Sequence, residues 1–329
     1  MKIMESFKDQ METFSVHNLS NLKVPESVRL DLHIVSEKEC EFYNVKLLKY
    51  RVYKDEFATA YVLFPKGFRG KLCGVLAIHG EGRGNSYRIG KSSLAIEAKD
   101  NYLALGAEIC KKGNVVICPD RFPYESRSAK DNDNSYPKIN DYYRMLECNK
   151  LLYDGVTELG KEIKEMSIVV DILTSFKEVD ANKISVIGVS EGGFLGAMSL
   201  CFDDRIKAGC AINIGYMLNE NKKEMSKRKR SICDMFLSIS ENGNIYDGLS
   251  EILASAAPKP FIWFENEKNI SKSEVDGICE RAKENYLNMR IPNKFISIIY
   301  VSSMFLPNDI KEKAYHWLGH IQKNNKSVR

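Results

Sequence analysis

Two kinds of hydrophobic pattern divide this chain. Between Cys40 and Pro65 apolar and polar residues alternate on either side of the polar turn Lys54-Asp55-Glu56, and a period of two predicts an antiparallel hairpin at a sheet edge. From Leu72 onward the alternation gives way to short, continuously apolar runs at 72–78, 114–118, 184–187, 208–214, 260–264 and 295–301. Such runs suit strands covered on both faces. Helical spacing lies between them. Leu159, Ile163, Met166, Val170 and Leu173 form one stripe within 159–179, and further helices are expected over 95–110, from Phe194, over 274–289 and over 310–321. Strand and helix in alternation predict an α/β fold: a mostly parallel sheet with helices on both faces and ligands at the carboxyl ends of the strands. Those ends are His79-Gly80-Glu81, Asp120 and Ser190.

Three stretches escape the alternation. Residues 1–38 are polar with scattered apolar positions and are expected to form an N-terminal arm packed on the body. Residues 121–150 read as a polar loop of about thirty residues, a length that in a compact domain signals function or mobility. A basic insertion spans 219–250, with Lys222, Lys223, Lys227, Arg228, Lys229 and Arg230 near its start, and reads as a solvated surface. The remainder, 39–325, is expected to be a single domain, as no change in composition marks a linker.

Composition narrows the partners. The 329 residues carry a net charge of only +4, which excludes nucleic acid as the expected partner, and no apolar run is long enough to cross a bilayer. The charged start MKIMESFKDQ lacks the apolar centre of a signal peptide, so a soluble, cytoplasmic protein is expected. Nine scattered cysteines without a C-x-x-C pair read as reduced core residues. His316 and His320 lie four apart, but with no glutamate in an H-E-x-x-H pattern they read as ordinary helix residues; no metal and no cofactor is expected.

The chemistry concentrates at Lys183 to Gly193, KISVIGVSEGG. An apolar strand leads into Gly188-Val189-Ser190-Glu191-Gly192 and an apolar helix leads out, which places Ser190 on a sharp strand-to-helix turn of the nucleophile-elbow kind. Glycines at 188 and 192 allow the neighbouring backbones to close on the turn. The N–H of Glu191, at the helix start, would face an oxyanion formed on a carbonyl attacked by Ser190.

The order of these landmarks resembles the α/β-hydrolase superfamily, and within it the dienelactone hydrolase and acetyl-xylan-esterase-like serine esterases. The resemblance rests on LAIHGEG, VDANKISVIGVSEGG, APKPFIWFENEKN, YVSSMF and the closing AYHWL, and covers about residues 40–320. It implies an N-terminal antiparallel hairpin beside the parallel sheet, an oxyanion hole from the N–H groups of Glu81 and Glu191, and a Ser, His and Asp triad. Its acid should follow the PFIWF strand, where this chain has Asn269. Its histidine should follow the FISIIYV strand, where this chain has Ser303. Both partners of the serine are thus replaced, and no histidine lies between His79 and His316. His79, beside the oxyanion turn, is expected to hold structure through hydrogen bonds. Glu81, Glu265 and Glu267 are the nearest carboxylates, and a carboxylate needs a pKa raised by burial to serve as a base at neutral pH.

The expected function is therefore weak or absent ester hydrolysis, with the retained pocket binding a small-molecule or peptide ligand bearing a carbonyl, or converting it without an acyl-enzyme. One alternative is an active carboxylester hydrolase whose base is not placed by the sequence; another is a partner-binding structural protein. Oligomeric state has no signature in the sequence.

Overall fold

In the computed structural model the run LCGVLAI forms β4 (Leu72–Ile78), and its side chains split between two cores because successive residues of a strand point to opposite faces. Leu76 and Ile78 join the core on one side; Val75 and Ala77 join the core on the other. The structure describes residues 29–80, 87–97, 103–129, 136–215 and 245–324. The basic residues 219–230 and Glu81 lie outside these.

The remaining strands are β1 (Leu32–Glu39), β2 (Tyr43–Tyr53), β3 (Glu56–Pro65), β5 (Val115–Pro119), β6 (Val179–Val189), β7 (Ile206–Ile212), β8 (Phe261–Asn266) and β9 (Phe295–Tyr300). They form one nine-stranded sheet in the order β1-β2-β3-β5-β4-β6-β7-β8-β9. Strands β1, β2, β3 and β5 pair antiparallel, and every pair from β5–β4 to β8–β9 is parallel. The hairpin turn falls at Lys54-Asp55, as the alternation predicts.

Helices α1 (Ser92–Ala95), α2 (Leu105–Lys111) and α8 (Asn308–Asn324) cover one face through Leu94, Ile109 and Leu318. Helices α4 (Glu158–Ser175), α5 (Glu191–Phe202), α6 (Ile245–Ser255) and α7 (Lys272–Asn288) cover the other through Met166, Phe194, Leu253 and Val275. Together these features are the α/β-hydrolase fold expected from the sequence. Among the described residues no helix is long and apolar enough to cross a membrane.

Three expectations need correction. The polar loop over 121–150 holds a short 3₁₀ turn and α3 (Tyr136–Tyr153), a helix whose large apolar residues, Leu151 apart, largely face away from the core and so leave no inward stripe in the sequence. Of the helix expected over 95–110, the described residues hold α2 over Leu105–Lys111, while α1 already ends at Ala95. The sheet begins earlier than its pattern suggests: Leu32–Glu39 is mostly exposed on both faces, so it lacks the alternation that would reveal an edge strand. His33 accordingly lies on that strand, exposed and beside Asp31.

Candidate active site

Strand β6 delivers Ser190 to the start of α5, and the turn between them is strained. Ser190 has φ +53° and ψ −123°, outside the conformations an L-residue prefers, so packing around it must hold it there. Its N–H donates to Ile212 O at 2.8 Å, and its carbonyl accepts from Gly193 N and Phe194 N at 2.9 and 3.1 Å. A Cβ at Gly188 would strike the Gly192 carbonyl, and one at Gly192 would strike the carbonyl oxygens of Ile78 and His79. Gly80 meets the turn from the other side, where a Cβ would lie 2.9 Å from Ser190 Cβ. The elbow is thus wedged against the end of β4 by backbone contacts that only glycine permits.

Ser190 is buried, 1% exposed, and its Oγ has no hydrogen-bond partner among the described residues. The Glu191 N–H belongs to the first turn of α5, where no carbonyl four residues back exists within the helix to accept it. That is the donor an oxyanion would need. The second expected donor, Glu81, is outside the described residues.

The Glu191 side chain is fully buried and held from below. Its Oε2 accepts from Arg121 Nη1 at 3.1 Å and from the Tyr124 hydroxyl at 3.2 Å, and Arg144 Nη1 lies 3.9 Å from Oε1. Arg121 is itself buried; Nε and Nη2 donate to the two carboxylate oxygens of Glu162 at 2.9 and 3.3 Å, and Nη1 donates to His79 O at 3.3 Å. Arg144 donates from Nε to Glu158 at 2.6 Å. This network joins the loop after β5, α3, α4 and the first turn of α5. Sequence reasoning missed it. The available signal was Arg121, a charged residue just past the end of a wholly apolar strand.

His79 is engaged on both nitrogens. Nδ1 donates to Gly80 O at 2.8 Å, leaving Nε2 to accept from Arg121 N at 3.1 Å. Burial, reinforced by the Arg121 charge, pushes its pKa down to about 4, so it is a neutral ring whose lone pair is already used. The expected structural role is what the geometry shows. His316 and His320 are exposed on α8.

At the acid position the Asn269 amide donates to Glu265 Oε1 at 2.9 Å. Glu265, the next-to-last residue of β8, is fully buried, and it also accepts from Asn266 N at 3.0 Å, Gly215 N at 2.6 Å and Trp263 Nε1 at 3.1 Å. Burial outweighs these four donors and pushes its pKa up to about 7. Ser303 is exposed in the turn after β9. Asn266 Nδ2 donates to Ser302 O at 2.9 Å and so ties the acid-position loop to the histidine-position loop. The structure thus brings the two loops together, but no hydrogen bond among the described residues connects Ser190 Oγ to Asn269 or Ser303.

Asp120, at the end of β5, accepts from Lys91 Nζ at 2.9 Å and from Ser126 N at 2.9 Å, so it anchors its own loop. A cavity of about 420 Å³ lies between the β2–β3 turn, α3 and α4, lined by Tyr53, Glu56, Tyr143 and Lys161 but not by Ser190. Among the described residues no group of three His, Cys, Asp or Glu side chains is arranged to hold a metal.

No protein-family model matches the chain. The presumptive hydrolase YtaP of Bacillus subtilis (strain 168) is 27% identical over 187 residues, 56% of this chain; the match spans only 57% of YtaP. A glucuronoyl esterase from Solibacter usitatus superposes with TM-score 0.64 at 11% identity, covering 96% of this chain and 91% of that one. Acetyl xylan esterase 1 from Thermoanaerobacterium sp. JW/SL YS485 superposes with TM-score 0.51 at 15% identity, covering 96% and 93%. These likenesses establish the α/β-hydrolase fold.

Proposed function

We propose that this α/β-hydrolase-fold chain derives from serine esterases and has lost the base that activates its serine. Ester hydrolysis is then weak or absent, and the elbow binds a small-molecule or peptide ligand bearing a carbonyl, or converts it without an acyl-enzyme. The observation that carries this reading is the Ser190 hydroxyl, buried without a hydrogen-bond partner among the described residues, while His79 spends both nitrogens elsewhere. A serine hydroxyl without a base is a poor nucleophile at neutral pH. Removing the triad histidine of a well-studied protease lowers kcat by about 10⁶, leaving only the oxyanion hole and binding. Asn269 and Ser303 stand where the acid and the base would be, and neither supplies a proton acceptor of the required strength.

Turnover of a p-nitrophenyl acetate panel, together with labelling by a fluorophosphonate probe, tests this. The expected result is no labelling and no turnover above the Ser190→Ala variant. Hydrolysis that disappears in Ser190→Ala would establish instead the second reading, an active carboxylester hydrolase with its base outside the described residues. The strained backbone retained at Ser190, and the esterases among the structural relatives, favour that alternative. His17 is the one histidine outside the described residues, so loss of turnover in His17→Ala would locate the base. A third reading, a partner-binding structural protein, draws on the burial of Ser190. Free cysteines at all eight described positions suit a reducing compartment, and we assign the cytoplasm.

A further inference from the structure

Helix α3 (Tyr136–Tyr153) is built inside out. Its packed face carries Asn140, Arg144 and Leu151, all buried, and the first two are polar. Its solvent face carries Tyr142 at 58% exposed, Met145 at 45%, Leu146 at 37%, Leu152 at 62% and Tyr153 at 94%. At 3.6 residues per turn these five fall within about a third of the helix circumference, and Asn149, also exposed, lies near the middle of that arc. Tyr142, Met145, Asn149 and Leu152 follow one another at intervals of three, four and three, with Leu146 and Tyr153 directly after Met145 and Leu152. This is the heptad spacing of a helix that packs along another helix. The spacing alone does not say which way the face points, but its exposure does.

The size of the stripe suits a second copy of the chain. A fully exposed tyrosine side chain offers on the order of 200 Å², and leucine and methionine somewhat less, so the five exposed fractions leave about 600 Å² of side chain in contact with water. That is the upper end for a patch on an ordinary monomer. Two such faces brought together remove about 1,200 Å², which reaches the range of specific, stable interfaces. The described charges at the border of the stripe are already paired, Lys150 with Glu147 and Lys54 with Asp154, so covering it strands neither sign.

The arrangement along the helix is also self-complementary. Leu146 precedes Asn149 by three residues and Leu152 follows it by three; Met145 precedes it by four and Tyr153 follows it by four. In a two-fold contact each residue meets its mirror partner and a residue on the axis meets itself. Two antiparallel copies therefore put leucine on leucine and methionine on tyrosine, with the two Asn149 amides facing each other at the centre. A single asparagine within an apolar helical seam is a known device for fixing register, because an apolar partner would leave its amide without hydrogen bonds.

We propose that α3 is the contact face of a two-fold homodimer, in which two copies of the helix pack antiparallel about Asn149. Leu146 of each copy lies on Leu152 of the other, and Met145 lies on Tyr153. The contact is independent of whether Ser190 is reactive.

Sedimentation equilibrium of the full-length chain tests it. An interface of this size should hold the pair together at micromolar concentrations, so samples at tens of micromolar should show twice the mass of one chain. Leu146→Glu alone and Leu152→Lys alone should each weaken the dimer by at least about a hundredfold, since each sets an unpaired charge against a leucine. Both side chains lie on the solvent face of α3, so far-ultraviolet circular dichroism should be unchanged and show that the variants fold. An equal mixture of the two variants should dimerise again, because the introduced carboxylate then faces the introduced ammonium. A monomer at every concentration would overturn the proposal and leave the face to a different protein or to another segment of this chain. A dimer that survives both single substitutions would place the contact elsewhere, and a mixture that stays monomeric would exclude the antiparallel register. Either result overturns it equally.

Discussion

At the scale of single residues the elbow is fixed by what is missing from its side chains. Gly192 faces the carbonyl oxygens of Ile78 and His79 so closely that a methyl group has nowhere to go, and its neighbours are backbone atoms that cannot rotate aside. Gly192→Ala should therefore destabilise the fold by about 3 kcal/mol or more, read as a lower urea midpoint, whereas Ser303→Ala in the exposed turn should change it by less than about 0.5 kcal/mol. The glycines and Ser190 were legible in the sequence because a sharp strand-to-helix turn demands them. The burial of Glu265 was not. It follows four residues of a buried strand with no turn signal, and only the sheet shows that the four donors around it close before the chain reaches solvent.

At the scale of elements, Arg121 is the piece that ties the loop after β5 to α4 and to the first turn of α5. Both of its carboxylate partners are buried, so removing the guanidinium strips Glu162 of its two charge-assisted hydrogen bonds and leaves Glu191 with Tyr124 and the more distant Arg144. Arg121→Met should cost about 3–5 kcal/mol in chemical denaturation, far more than loss of a surface pair such as Lys313 with Asp309. Because the same guanidinium holds the Glu191 side chain, the variant should also loosen the amide expected to face an oxyanion. The strands after the hairpin were legible to within about two residues except β6, which begins at Val179, five residues before its apolar run, because its polar start at Asp180-Ala181-Asn182 reads as a connection. Helix α3 was not, because pattern reading assumes that large apolar residues mark the inside, and there they mark the outside.

At the scale of the whole molecule, buried ionisable groups set how stability follows pH. Glu265 has its pKa raised from 4.5 to about 7 by burial, so its contribution is fully present below the unfolded value and is lost as pH rises through about 7. His79 runs the other way: lowered from 6.5 to about 4, it contributes above pH 6.5 and its contribution is lost as pH falls through about 4. Urea unfolding of the parent and of Glu265→Gln at about pH 5 and pH 8 should separate the two. The variant should gain on the parent as pH rises, by on the order of 3 kcal/mol, and a constant difference would contradict the assignment.

Strand order carries a further consequence for how the protein is made. Strand β4 sits between β5 and β6, and β6 begins only at Val179. The amide of Ser190 is then held by the carbonyl of Ile212, at the end of β7. A nascent chain therefore exposes its apolar central strands on the ribosome until β7 has emerged, and needs shelter from aggregation over that interval. A transcript ending before Ile206 would encode the serine together with a sheet unable to present it.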